Sequence, residues 1–391
     1  MESRRAWTVT IFLFVVGDAV ATQTRGPLLR SFQSTFGVSE ALLGLVAPAG
    51  TLGFVIAILG VGFVTGRIDL RRTLVVAVAA TTVALLAMSV APIYALFLVA
   101  LVGQGAAAGA FRGGDRPILS HLYPARRGRI FSLYALAWAV GAVAGPLVVT
   151  GVLAVADWRL TYALLGLWFL PLAVALWRLD LPTSSSNERT LSLAELRRLL
   201  GRPAVLGSTT AMTLIGGIEG IVFTWLPYYA STLLARDLAS ALLSVYLLAY
   251  IPGRALNTWL IDRVRYLPLA LVLAGLSIPA LVVAFGGVSG VGLFAVVFVA
   301  GLFLSGLFPT VLSYGVDAEP EYSGPINALT TGGTYLGIAL APPVVGWIAE
   351  RAGIRIAMYL TVALTVLLLA VTAATWGVAG HPKGSSNGEG T

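Results

Sequence analysis

Twelve apolar stretches, each long enough to cross a bilayer as a helix, constrain this chain more than any other feature of its sequence. A hydrocarbon core about 30 Å thick needs roughly 17–25 apolar residues of helix to span it. The stretches run over about 7–29, 41–65, 73–91, 93–118, 130–153, 160–177, 204–227, 238–260, 267–285, 291–312, 326–347 and 356–377. Lipid offers no hydrogen bonds to a bare backbone, so segments of this length must satisfy their own amides as helices. The expected fold is an all-α polytopic membrane protein of twelve transmembrane helices, with the lipid bilayer as its principal partner. Composition points the same way. Hydrophobic residues make up 58% of the chain, charged residues 11%, and the mean hydropathy of +0.91 lies outside the range of soluble domains. The first stretch, from Trp7, spans without a small-residue cleavage site behind it, so no cleaved leader is expected.

The net charge of +8 does not imply nucleic acid, because its placement follows membrane topology. Positive loops stay on the cytoplasmic side. With the N-terminus inside, cytoplasmic segments carry sixteen of the 25 Arg and Lys residues, among them Arg4, Arg5, Arg126, Arg127, Arg129, Arg197, Arg198, Arg202 and Lys383. Outer loops carry only Arg30, Arg159, Arg236, Arg351 and Arg355, and four more lie within spans. A multi-pass protein of the cytoplasmic membrane with both termini cytoplasmic is therefore expected. Cysteine is absent and the two histidines are His121 and His381, which leaves no metal site and no cofactor to expect.

The longest polar interruption, Arg178 to Arg202, divides six spans from six. Pro182 and Ser184–Ser186 read as linker, and LSLAELRRLL as an amphipathic helix at the cytoplasmic interface. The expected organisation is an N-terminal six-helix bundle over 1–180, a cytoplasmic linker over 181–203, a C-terminal bundle over 204–378 and a disordered cytoplasmic tail over 379–391. Sliding the halves by 196 residues superimposes Arg67 on Arg263, Gly105 on Gly301, Gly128 on Gly324, Gly141 on Gly337, Pro146 on Pro342 and Arg159 on Arg355. Parallel six-helix repeats of this kind build transporters, with substrate bound near the midplane at the repeat interface.

The loop after the second span, GFVTGRIDLRRT, is similar to the G-x-x-x-D-R-x-G-R-R signature of the major facilitator superfamily. Gly62, Arg67, Arg71 and Arg72 match it; Gly66 stands where the family has Asp, and Asp69 where it has Gly. The equivalent loop of the second half keeps Asp262 and Arg263. GAVAGP, from Gly141 to Pro146, resembles the family's antiporter-associated segment, with Val148 and Val149 where glycines often follow. Gln104–Gly105 resembles the end of R-x-x-Q-G, with Leu101 at the Arg position. GGIEGIVFTWLPYY in the seventh span loosely resembles the fucose and hexose symporter branch. The resemblance covers essentially the whole chain. It implies two pseudo-symmetric bundles rocking about a central site and a secondary active transporter of a small-molecule substrate, working as a functional monomer; the isolated carboxyls Asp18 and Glu219 favour protons as coupling ion over sodium or uniport, and drug or metabolite efflux stands beside sugar-like or organic anion uptake.

Charged residues inside spans carry the functional information, since each costs about 2.5–3.5 kcal/mol to insert. Asp18, Gln23, Arg25, Glu219 and Trp225 are the candidates for substrate binding or proton coupling. Glu219 has no basic residue one turn away on its own helix, and the 196-residue offset pairs it with Gln23 across the expected cavity. Asp18 and Arg25 share a helix face, which leaves a local ion pair and a coupling role equally open. Trp225, Tyr228 and Tyr229 lie near the outer side, where aromatics commonly form the interfacial belt. Arg112, Asp115 and Arg116 stand at i, i+3 and i+4 and form an inner charged cluster, a structural clamp before an anion site. Gly141, Gly145, Pro146, Gly337 and Pro342 are expected to serve close helix packing first and gating second. Of the competing classes, a non-transporting receptor has no sequence feature in its favour, and the other is a membrane enzyme built around Arg112, Asp115 and His121. It lacks an acid, base or metal constellation, so no enzymatic activity is expected.

Overall fold

Without neighbouring water, each apolar stretch closes its own ladder of backbone hydrogen bonds, and helices end where that ladder meets Pro, Gly or a loop. The computed structural model describes residues 2–64, 69–179, 198–261 and 263–379. Its helices are α1 (Glu2–Gln23), α2 (Leu29–Phe36), α3 (Glu40–Leu43), α4 (Val46–Val64), α5 (Leu70–Ser89), α6 (Tyr94–Leu122), α7 (Arg127–Leu153) and α8 (Arg159–Arg178). The second half continues with α9 (Pro203–Ala230), α10 (Arg236–Leu248), α11 (Tyr250–Ile261), α12 (Tyr266–Phe285), α13 (Gly290–Ala318), α14 (Ser323–Ala352) and α15 (Ile354–Ala379). No strand occurs among the described residues. Among the described residues twelve helical segments are long and apolar enough to cross a membrane; α3 with α4 forms the second, and α10 with α11 the eighth. The expected amphipathic linker helix lies largely outside the described residues, as do the tail, Arg67 and Asp262.

Several boundaries differ from the sequence expectation. The first helix ends at Gln23, and Thr24–Leu28 form a turn leading into α2. Pro27 has no N–H to donate and disfavours helical geometry at Gly26, which breaks the helix there. The fourth and tenth spans run long instead: α6 and α13 each have 29 residues, about 44 Å of helix, so their last turns project beyond the hydrocarbon core.

The two halves repeat the same packing. In the first, α1 packs on α7 and α8, α4 on α6, and α5 on α6 and α8. In the second, α9 packs on α14 and α15, α10 and α11 on α13, and α12 on α13 and α15. The 196-residue register is visible at atomic contacts. A Cβ added to Gly105 would strike the carbonyl of Gly50, and one added to Gly301 would strike that of Tyr246, 196 residues beyond Gly50. Because lipid supplies no hydrophobic force between helices, such backbone approaches hold each bundle together. The bundles meet where α2 lies on α9, α3 and α4 on α14, and α7 on α10. Twelve spans crossing in alternate directions bring both described ends, Glu2 and Ala379, to one face of the molecule, called the terminal face below; the opposite face is the far face.

Candidate functional site

Polar side chains from both bundles converge along the plane where they meet. From the first bundle, Asp18 on α1 is buried within the fields of Arg112 on α6 and of Arg25. Arg25 follows the break in α1 and donates from Nη2 to Oε1 of buried Gln104 at 2.6 Å. Gly50 leaves the space that the Arg25 guanidinium fills. Asp18 and Arg25 thus share a neighbourhood but make no direct ion pair, and the local-pair reading gives way to an Arg25–Gln104 contact. The break at Thr24–Leu28 is the reason, since it turns Arg25 off the face that carries Asp18.

From the second bundle, Glu219 on α9 accepts a hydrogen bond from the hydroxyl of Tyr250 at 3.0 Å, and Tyr250 lies 3.2 Å from the hydroxyl of Tyr246. Arg254 supplies the nearby positive charge. Its guanidinium stands 5.2 Å from the centre of the Tyr250 ring. Tyr246, Tyr250 and Arg254 are spaced by four and share one helical stripe, a signal the sequence reading missed. Tyr335 on α14 joins the halves: it lies within the fields of Asp18, Glu219, Arg112 and Arg116, and its ring is 4.9 Å from that of Phe54 on α4.

The other candidates separate from this group. Gln23, the last residue of α1, is buried against Gly145 of α7 with both amide atoms unpartnered, so it does not join the groups around Glu219. Trp225 is fully buried, and its Nε1 donates within its own bundle to the Pro342 carbonyl at 3.0 Å. Tyr229, also fully buried, donates to the Ala284 carbonyl at 3.0 Å. Trp225 and Tyr229 therefore pack internally rather than forming an interfacial belt, since polar tips that find backbone carbonyls are satisfied without a membrane interface.

Arg112, Asp115 and Arg116 form one cluster around a residue the sequence reading missed, Tyr134 on α7. Tyr134 donates a short hydrogen bond to Oδ2 of the fully buried Asp115. The guanidinium groups of Arg112 and Arg116 stand 5.0 and 5.6 Å from the centre of its ring. The motif loops do local work where they are described. Asp69 caps α5, accepting from the Arg72 amide at 3.2 Å and pairing with the Arg72 side chain at 3.3 Å. Arg71 donates to the Trp177 carbonyl at 2.6 Å. Arg263 donates to the Trp259 carbonyl at 2.7 Å and stacks on that indole. Gly62 lies within α4.

The small-residue faces lie inside bundles. Side chains added at Gly141 and Gly145 of α7 would run into Val16, Ala19, Val20 and Gln23 of α1. One at Gly337 of α14 would hit the Thr213 carbonyl and Gly217 amide of α9. Pro146 and Pro342 sit within α7 and α14 beside these contacts.

Hydrogen bonds between the bundles, among the described residues, lie in the far half. Tyr228 donates to Oε1 of Glu40 at 2.7 Å, with Oε1 of Gln33 at 3.0 Å. Arg30 covers the Tyr228 ring at 3.9 Å while donating from Nε to Ser231 at 2.9 Å. Ser39 donates to Glu350 at 3.3 Å, and Ser244 to the Val143 carbonyl at 2.8 Å. Gly26 against the carbonyls of Phe223 and Thr224, and Gly44 against Pro343, let the backbones touch there. The far face is thus latched. Residues 11–321 and 231–390 match the sequence profile of the Major Facilitator Superfamily.

The chain belongs to the Major Facilitator Superfamily. As a member of that family it is a multi-pass membrane protein and a secondary transporter, not an enzyme. It is 27% identical over 298 residues, 73% of this chain and 74% of the relative, to the uncharacterized MFS-type transporter YfkL of Bacillus subtilis. Its fold is similar to an inward-facing bacterial homolog of the human lysosomal transporter Spinster, with a TM-score of 0.81 at 14% identity over 95% of this chain and 97% of that one. It is also similar to the nucleoside transporter NupG (TM-score 0.81, 12% identity, 96% and 100% covered) and to a D-xylose-proton symporter (TM-score 0.78, 15% identity, 97% and 98% covered). Among the described residues no group of three His, Asp or Glu stands together as a metal site.

Proposed function

We propose that this facilitator moves a small organic solute across the cytoplasmic membrane by alternating access, coupled to protons, as a functional monomer with both termini in the cytoplasm. The observation that carries this reading is the pair of carboxylates, Asp18 and Glu219, one from each bundle, each within the field of an arginine on a neighbouring helix, Arg112 and Arg254, and both within the field of Tyr335. When such a carboxylate takes a proton it stops competing for the arginine whose field it shares, and that arginine becomes available to an incoming polar solute. The same proton exchange at Glu219 alters what Tyr250 donates to, and so the packing of α9 on α10 and α11. The far-face latch supports a state open toward the terminal face; rocking the bundles about the central group would exchange the sides. In this reading the bundles over 1–180 and 204–378 are the two bodies of that motion. A proton symporter among the similar structures supports the coupling ion without specifying the solute.

The test is substrate-driven proton movement. A melting-shift screen across sugars, nucleosides, organic anions, amino acids and cationic drugs identifies a ligand. That ligand is then added to lightly buffered proteoliposomes holding a trapped pH dye. A saturable lumenal pH change that requires the protein supports the reading. Solute flux without any pH change contradicts it.

A further inference from the structure

A crevice of about 190 Å³ opens between the two bundles, where α7 and the eighth span separate on the terminal side of the Ser244–Val143 hydrogen bond. Its walls include Leu136, Trp138 and Ala142 of α7 and Leu247 and Ile251 of the eighth span, and Arg254 is the charged residue that lines it. Leu136 is 50% and Ile251 45% exposed. Both are apolar and exposed within membrane-spanning helices, as are Leu133, Val140 and Leu248 beside them, and a surface of that composition suits lipid rather than water, so the mouth faces sideways into the bilayer.

Arg254 makes the crevice more than a packing defect. Its Nε is buried with no hydrogen-bond partner, and no carboxylate lies in ion-pair contact with it among the described residues. Glu219 reaches it only as a field, with Tyr250 standing between and donating to the carboxylate. A guanidinium offers five donors in a planar fork that suits carboxylate or phosphate. One left open at the base of an apolar, lipid-facing slot is complementary to an anionic head on an alkyl chain.

We propose that this crevice is a side entrance from the bilayer, through which a single-chain anionic amphiphile brings its headgroup to Arg254. This names a substrate class and route for the site already described and so rests on that reading. The chain occupies the Leu136, Trp138 and Ile251 slot, while the head competes with Glu219 for the same cation. Protonation of Glu219 then favours the bound amphiphile.

Trp138 lines the slot and reports on it directly. Protein in phosphatidylcholine nanodiscs is titrated with 11-bromoundecanoate, whose bromine quenches indole at contact, and with a bromoalkyl trimethylammonium of equal length. Bromoundecanoate should give a saturable quenching component above linear partitioning, missing in Trp138→Phe and absent for the cation. Arg254→Gln should weaken it at least about tenfold, as loss of a charge-assisted contact does, while Arg254→Lys retains part of it. Ala139→Leu narrows the slot with Arg254 intact and should also abolish saturation, which covers the case in which Arg254→Gln fails to fold. Purely linear quenching, equal saturation by the cation, or saturation indifferent to Arg254→Gln overturns the proposal. Binding is read without turnover. A positive quenching result beside absent proton movement would remove the coupling reading and leave the entrance standing.

Discussion

Tyr250 donates its hydroxyl hydrogen to Oε1 of Glu219 at 3.0 Å, tying the eighth span to the seventh at the level where the bundles meet. This bond gives the intramembrane carboxylate a partner that senses its charge, since an ionised carboxylate is the stronger acceptor. Tyr250→Phe removes it without changing shape. Solute affinity should become less sensitive to pH than in the wild type while expression holds, measured as Kd across pH 5.5–8. An unchanged pH profile would show that the tyrosine is packing only.

The far-face latch predicts a population shift. Tyr228→Phe removes the bond to Glu40 that joins α9 to α3, and a hydrogen bond to a charged group is worth about 1.5–3 kcal/mol. Spin labels on the far ends of α2 and α9 should then report at least about a tenfold rise in the far-open state. An unchanged distance distribution would place the closing energy elsewhere.

Close packing predicts asymmetric tolerance of glycine changes. Gly337→Leu drives a side chain into the backbone of α9, and Gly141→Leu does so against α1, with overpacking costing about 1–3 kcal/mol each. Both should lower the melting temperature and transport together. Gly151, whose Cβ would meet nothing within 4 Å, should accept Ala with little change. Equal tolerance at all three would refute the packing account.

Trp225 is predicted to act through stability. Its Nε1 bond to Pro342 lies inside one bundle, so Trp225→Phe should lower the melting temperature while leaving solute Kd within about twofold, a buried neutral bond being worth about 1 kcal/mol. A large loss of affinity at unchanged stability would return Trp225 to the binding site.

The spans and the repeat were legible in the sequence because length and hydropathy are local properties, and because Gly105 and Gly301 keep one register. Glu219 stood out for the same reason, as a charge in an apolar run. Its partners were not legible, since Arg254 lies on another helix and only the packing of α9 beside the eighth span brings it near. Tyr134 gave no signal, being one tyrosine in an apolar helix until Asp115 is seen beside it. The partner of Trp225 was not legible because an aromatic near a helix end looks alike whether it faces headgroups or the Pro342 carbonyl. Gln23 misled because sequence register cannot show that the α1 break leaves it against Gly145. The Arg30, Gln33, Glu40 and Tyr228 latch joins the two repeats, and contacts between repeats leave no periodic trace within either one.

The central claim is that Glu219 couples proton movement to solute movement, and Glu219→Gln tests it most directly, because the amide keeps shape and hydrogen bonding but cannot ionise. Proteoliposomes holding wild-type or mutant protein are compared for accumulation under an imposed pH gradient and for solute exchange at equal pH on both sides. The account predicts that the mutant loses gradient-driven accumulation and keeps exchange. Wild-type accumulation in the mutant, with wild-type pH dependence, would contradict it.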